Sequence, residues 1–181
     1  VGTQMIVKGH DFPNVTLVGV LAADISLYAS DYRAAERTFQ LLTQAAGRAG
    51  RGEQAGEAVI QTYMPEHYSI QAAVKQDYEA FYRQEIAYRN LMGYPPVETM
   101  MGIYLSAGDQ ELLEEKTKAL GIFIREMQQQ EVLMIGPADA ALTRLNDRYR
   151  KVIYLKSRQE EKLLLIKNKT EHYLEMDAGW E

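Results

Sequence analysis

Apolar residues along this chain gather in runs whose period changes from continuous to helical to alternating. Val15 to Leu21 is continuous and rich in β-branched residues, the pattern of a strand buried in a parallel sheet. Phe39, Leu42, Ala45 and Ala46 recur at helical spacing, and Glu57 to Tyr63 reads as a second strand. Strands alternating with helices argue for an open α/β sheet with ligands at its loop ends. From 66 to 92 the apolar positions Ile70, Ala73, Val74, Tyr78, Phe81, Tyr82, Ile86 and Leu91 recur every three or four residues. That spacing predicts an amphipathic helical connector whose aromatic residues are buried rather than stacked on bases. Gly93-Tyr94-Pro95-Pro96 ends it, because proline removes a donor and restricts its predecessor.

Past that break the period changes again. Thr99 to Ala107 alternates, with Met101, Ile103 and Leu105 on one face. Asp109 is placed to cap a helix running to about Gln130, with Glu111 in its first turn and Leu113, Leu120, Ile124 and Met127 as its inner stripe. Val132 to Ile135 reads as a short strand stopped by Gly136-Pro137, and 140–157 as a hairpin turning near Asn146-Asp147. Glu160 to Tyr173 has helical spacing. Strand, helix, strand, strand, helix fits a small antiparallel or mixed sheet with helices on one side.

Composition narrows the class. The chain has 181 residues, 46% apolar, with a formal net charge of -5. That is enough for one or two domains with cores, and no overall basic charge advertises nucleic-acid binding. There is no cysteine, which excludes disulfides and cysteine-ligated zinc here and fits a cytoplasmic protein. No run approaches the roughly 18 apolar residues of a bilayer span, and no signal peptide is visible. His67 and His172 have no second ligand at metal spacing, so no metal site is expected. Asp24, after the first strand, is a candidate for catalysis or for capping the next segment.

Charge is segregated. Between Arg144 and Lys169 nine basic residues face only Asp147, Glu160 and Glu161, a local balance of +6. Arg148, Arg150 and Lys151, with Tyr149 among them, are candidates for neutralising phosphates and stacking on a base; a solvated basic face is the alternative. A second candidate is Gln44-Ala45-Ala46-Gly47-Arg48-Ala49-Gly50-Arg51, Q-x-x-G-R-x-G-R. Gln44, Arg48 and Arg51 have the spacing of one helix face. Arginine offers phosphate a planar fork of donors, and a glycine before each arginine lets another surface approach. On spacing alone, a polyphosphate site and a glycine-rich helix end with solvated arginines both remain open.

Two stretches resolve the choice through resemblance. Residues 2–13 read G-T-Q-M-x-x-K-G-H-D-F-P, and with Q-x-x-G-R-x-G-R they resemble motifs V and VI of superfamily 2 helicases. The wording GTQMIVKGHDFPNVTLVGVLAAD, DYRAAERTFQLLTQAAGRAGR and RNLMGYPP is similar to the primosomal protein N′ (PriA) family of replication-restart helicases. It is strong over 1–65 and looser over 93–181. The resemblance implies an α/β fold: the end of a RecA-like helicase lobe (parallel sheet with helices) over 1–65, a helical connector over 66–92, and a small α+β C-terminal domain over 93–181 resembling ribosomal protein S10. It implies that Arg48 and Arg51 act as arginine fingers with Gln44 in the same catalytic network. Gly9 and Asp11 would couple nucleotide to DNA, and Thr3, Gln4 and Lys8 would contact DNA phosphates. Residues at 97–181, Arg148, Arg150 and Lys151 among them, would hold DNA or partner proteins.

The implied whole is an ATP-dependent 3′–5′ DNA helicase that initiates replication restart at stalled forks. ATP and Mg²⁺ would be completed by another lobe, and zinc would lie only in an upstream region. Forked or single-stranded DNA, single-stranded-DNA-binding protein and primosome loading proteins are the implied partners. The chain carries no G-x-x-x-x-G-K-[ST] loop. It is therefore read as part of a longer protein and expected to hydrolyse no ATP alone. Two alternatives stand: another superfamily 2 translocase, RecG-like, or a module binding DNA or a partner without its own catalysis.

Overall fold

The computed structural model describes residues 15–49, 55–127 and 130–176. The chain divides into two compact units, Val1–Tyr88 and Arg89–Glu181.

In the first unit, β1 (Leu17–Val20) pairs in parallel with β2 (Glu57–Ile60), in register from Leu17↔Glu57 to Val20↔Ile60. Between them run a 3₁₀ segment (Ala23–Tyr28) and α1 (Ala34–Ala46). The start of α1 is fixed by Asp31, whose carboxylate accepts the Arg33 N–H (2.9 Å) and pairs with the Arg37 guanidinium (2.7 Å). The Arg33 N–H and the two guanidinium groups hold the Asp31 carboxyl below its ordinary value against the opposing effect of its burial. Phe39, Leu42 and Ala45 form the buried stripe of α1 that the spacing predicts. Phe39 stacks on Phe81, with centroids 4.4 Å apart and planes 9° from parallel. The core is completed by Ala23, Ile70, Ala72 and Ala73.

The first strand departs from expectation. A continuous apolar run predicts cover on both faces, yet Leu17 is 62% exposed and Leu21 78%. Val20 packs against the core while alternate residues do not. A pair of strands offers α1 only one face, so the other carries apolar side chains to solvent. Asp24 is buried and accepts the Tyr63 N–H at 3.1 Å. That bond above all holds its carboxyl below the ordinary value, so Asp24 ties the exit of β2 to the 3₁₀ segment.

The connector is two helices, α2 (Tyr68–Lys75) and α3 (Tyr78–Met92). Gln76, at φ 51, closes the first, and Asp77 caps the second by accepting the Ala80 N–H at 2.9 Å. Phe81 is buried, but Tyr78, Tyr82 and Tyr88 are exposed.

His67 caps α2: its Nδ1 accepts the Ser69 N–H (3.3 Å) and lies 2.8 Å from Ser69 Oγ. Burial lowers its pKa from 6.5, opposed by the Glu85 charge. The cap needs a neutral ring, so its stabilising effect should be complete above 6.5 and lost as pH falls through the lower folded-state value. An NMR titration of the His67 ring should give a midpoint below 6.5. A midpoint at or above it would refute the assignment.

In the second unit, β3 (Thr99–Ala107), β4 (Leu133–Leu145) and β5 (Arg148–Ser157) form an antiparallel sheet in the order β3-β5-β4. Helices α4 (Gln110–Glu126) and α5 (Glu160–Met176) both cover one face. Met101, Ile103 and Leu105 lie opposite Leu155, Ile153 and Lys151, and the apolar members join Leu113, Leu120, Ile124, Leu163 and Ile166 in one core. Asp109 caps α4 by accepting the Leu112 N–H at 3.0 Å. Asn146 and Asp147, both at positive φ, make the hairpin turn.

Gly136-Pro137 does not end a strand. The β4–β5 register shifts between Ile135 and Ala138, and β4 continues beyond it. Gly136 sits at φ +99, where a Cβ would lie 2.9 Å from the Val152 carbonyl oxygen. Gly121 admits the bulge: a Cβ there would meet the Pro137 ring at 2.9 Å. The last turn of α3 belongs to this unit. Arg89 donates to the Pro95 carbonyl (3.0 Å), and buried Lys156 donates to the Met92 carbonyl (3.0 Å) with its ammonium 3.8 Å from the Tyr94 ring centroid. Burial lowers the Lys156 pKa from the ordinary lysine value, and Glu98 counters it. No helix of the described residues is long and apolar enough to cross a membrane.

Candidate functional site

Two places carry the charged residues that the sequence singles out, one in each unit. The first is the C-terminal end of α1. Gln44 is exposed on its last turn, while the stripe of Phe39, Leu42 and Ala45 anchors the opposite side. The α-helix ends at Ala46, two residues before Arg48, so Gln44 and Arg48 do not lie on one regular α-helix. The chain tightens instead into three-residue turns: Arg48 N–H donates to Ala45 O and Ala49 N–H to Ala46 O, each at 3.1 Å. Gly47 allows this tightening, since a Cβ there would press on the Thr43 carbonyl at 3.3 Å. Arg48 is half-buried. A guanidinium at a helix C-terminus is favoured by the helix dipole, and its fork can also offset the charge of a phosphate. Gln44 and Arg48 thus offer donors suited to a polyphosphate. Arg51, Thr3, Gln4, Lys8, Gly9 and Asp11 lie outside the described residues.

The second place is the sheet of the second unit, and here the basic residues separate. Strand alternation sends Lys151 to the helix-covered side with Tyr149, Ile153 and Leu155. There Lys151 pairs with Glu114 of α4 and, at 3.2 Å, with Asp139 of β4. Glu114 holds the Lys151 ammonium charged above the ordinary lysine value. Lys151 therefore binds helix to sheet. Arg148 and Arg150 take the opposite parity and lie on the face that neither helix covers. Arg148 donates through Nε to Ser106 Oγ (3.2 Å) and through its terminal nitrogen to the Ser106 carbonyl (2.8 Å). Among the described residues Arg150 makes no ion pair.

Four other basic residues of the cluster are paired. Arg144 pairs with Asp147 at 3.1 Å, Arg158 with Glu98 at 3.4 Å, Lys162 with Glu131 at 2.9 Å and Lys167 with Glu171 at 3.1 Å. The local excess of +6 shrinks in effect to a few side chains, with Arg148 and Arg150 on one surface. That surface also carries Tyr104 and Tyr154, whose hydroxyls lie 2.9 Å apart. The sequence signal for them is the alternation Met100, Gly102, Tyr104, Ser106, the complement of the apolar stripe in β3. Among the described residues no group of three or more His, Cys, Asp or Glu side chains could hold a metal ion.

A family model described as "Primosomal protein N C-terminal domain" matches residues 90–175. The chain is similar to the replication restart protein PriA of Bacillus subtilis, 45% identical over 173 residues, which are 95% of this chain and 22% of that protein. The protein of the same name from Synechocystis is 43% identical over 150 residues, 83% of this chain and 18% of the relative. That from Borreliella burgdorferi is 34% identical over 179 residues, 98% of this chain and 27% of the relative. The chain therefore spans only about a fifth to a quarter of the curated relatives it matches.

Proposed function

Since this chain belongs to the replication restart protein PriA family, we propose that it acts in replication restart, as the C-terminal part of an ATP-dependent DNA helicase. On this reading the first unit is the end of a RecA-like lobe. Its two parallel strands and single helix layer, with Leu17 and Leu21 uncovered, fit a sheet that continues beyond the described residues. The second unit is an S10-like domain. Its strand–helix–strand–strand–helix order with both helices on one face supports that reading. Cytoplasmic location, single-stranded-DNA-binding protein and primosome loading proteins as partners, and 3′–5′ movement on forked DNA belong to the same proposal.

The residues have separate tasks in it. Gln44, Arg48 and Arg51 offset phosphate charge on ATP, which supplies the phosphoryl group when bound with Mg²⁺ against another lobe. Gly9 and Asp11 couple that site to DNA, and Thr3, Gln4 and Lys8 hold DNA phosphates. Arg148 and Arg150 contact DNA from the second unit. The observation that carries this last assignment is their placement on the sheet face opposite α4 and α5, while Lys151 is held by two carboxylates on the covered side.

A salt titration tests it. Arg148→Ala with Arg150→Ala should weaken binding of forked DNA and lower the slope of log affinity against log salt by roughly 1.4 to 1.8, about 0.7 to 0.9 for each phosphate that is no longer neutralised. Lys151→Ala should leave that slope unchanged. A double variant with the original slope would end the assignment.

A further inference from the structure

The face of the second sheet opposite α4 and α5 holds more than two arginines; the end of α3 reaches it at Lys156, which donates to the Met92 carbonyl. On it β3 places Gly102, Tyr104 and Ser106 opposite Tyr154, Val152 and Arg150. Tyr104 is 58% exposed, large for an aromatic ring in the middle of a strand. The Tyr104 and Tyr154 rings meet edge to face, at 89° and 6.1 Å between centroids. Their hydroxyl contact of 2.9 Å fixes the arrangement. Gly102 makes the room: a Cβ there would lie 3.0 Å from the Tyr104 ring and 3.2 Å from the Tyr154 ring. The register-paired strand positions of this face carry no carboxylate, whereas Glu114 and Asp139 sit with Lys151 on the other side.

We infer that this face binds single-stranded DNA, with Tyr104 as the platform on which an unpaired base stacks. Tyr154 is a positioning residue that holds the Tyr104 ring through its hydroxyl, and Arg148 and Arg150 take the flanking phosphates. The inference rests on the proposed DNA contact of those two arginines and names what that contact selects. Ser106 and Tyr104 are two residues apart on one strand, about 6.8 Å, so the Ser106-anchored Arg148 and the ring lie side by side. A polyanion with exposed π-faces satisfies both at once, through charge on the arginines and stacking on the tyrosine. A duplex satisfies only the arginines, because its bases are already stacked on one another.

The test is fluorescence anisotropy of the 181-residue chain with a labelled oligothymidylate, an abasic strand of equal length and a duplex. Tyr104→Leu should weaken oligothymidylate binding about tenfold or more, the loss expected for one stacked base, with its salt slope unchanged. Tyr104→Phe, which keeps the ring but loses the hydroxyl contact that positions it, should weaken binding less than Tyr104→Leu does. The abasic strand should bind the unmodified chain about as weakly as oligothymidylate binds the Leu variant. Because Tyr104 is exposed, circular dichroism should show the variants folded. Equal binding by Tyr104→Leu, or by the abasic strand, would overturn the stacking role. If the arginine variants still lose affinity and slope in that case, the DNA interface survives without it. If neither set of variants changes binding, or no single strand binds, the interface and the platform fall together.

Discussion

Arg48→Ala, placed in a protein of the relatives' full length, is expected to lower DNA-stimulated ATP hydrolysis by about 10³-fold, the smaller end of what an arginine finger contributes. The size of the effect follows from where the side chain sits. The helix α1 is held by Phe39, Leu42 and Ala45 on its inner side. The backbone of Arg48 is fixed by its N–H bond to the Ala45 carbonyl at 3.1 Å, which alanine keeps. The substitution therefore removes a charged fork while the backbone bond and the apolar stripe of α1 stay. Arg48→Lys should recover little, because an ammonium is a point charge that cannot bond two phosphate oxygens in one plane. Steady-state hydrolysis with and without fork DNA gives the answer, with nucleotide affinity measured alongside. Hydrolysis within about twofold of the unmodified protein would remove Arg48 from the catalytic network and favour a module that docks DNA while catalysis lies elsewhere.

What the sequence reveals here depends on whether the deciding force is local. In the second unit it mostly is. The Asp109 cap, the alternation through Met101, Ile103 and Leu105, and the Asn146-Asp147 turn each act within a few residues, and each reads directly from the chain. Gly136-Pro137 misleads, because a strand stop and a bulge carry the same signature. Pairing resumes at Ala138 opposite Val152, a partner far off in sequence. The break at Gln76 is hidden for a related reason. The apolar spacing runs unbroken from Ile70 to Phe81, and a non-glycine residue takes the left-handed turn.

The candidate site divides along the same line. The spacing of Gln44 and Arg48 is local and visible, although Gly47 tightens the helix before Arg48 is reached. The fate of Lys151 is not local. Alternation puts it beside Ile153 and Leu155, but only folding brings Glu114 and Asp139 to it. A charge count treats Lys151 like Arg148 and Arg150, while the fold sends it to the opposite face. Tyr104 escapes notice for the converse reason. The apolar pattern of β3 marks its buried stripe, and Tyr104 lies at an exposed position between.

The face that presents Tyr104 is only as rigid as the core beneath it, and that core turns on Leu120. This residue is fully buried in α4, at 0% exposure, as are Ile153 and Leu155 of β5. Its neighbour Gly121 lies against the Pro137 ring, where even a methyl group would meet it at 2.9 Å. The helix thus approaches the bulge of β4 closely and has little freedom to slide into a void. Leu120→Ala should therefore cost about 3 to 5 kcal/mol, the upper part of the range for buried leucines, because the cavity cannot collapse. Hydrogen exchange should show weakened protection across β3, β4 and β5 together, since one cluster serves all three strands. Tyr104→Leu, on the opposite face, should leave that protection in place. This contrast separates the stability set by one face of the sheet from the DNA contact proposed for the other. A Leu120→Ala chain destabilised by less than about 1 kcal/mol, the cost of a volume-conserving swap, would mean that α4 can close on the sheet after all.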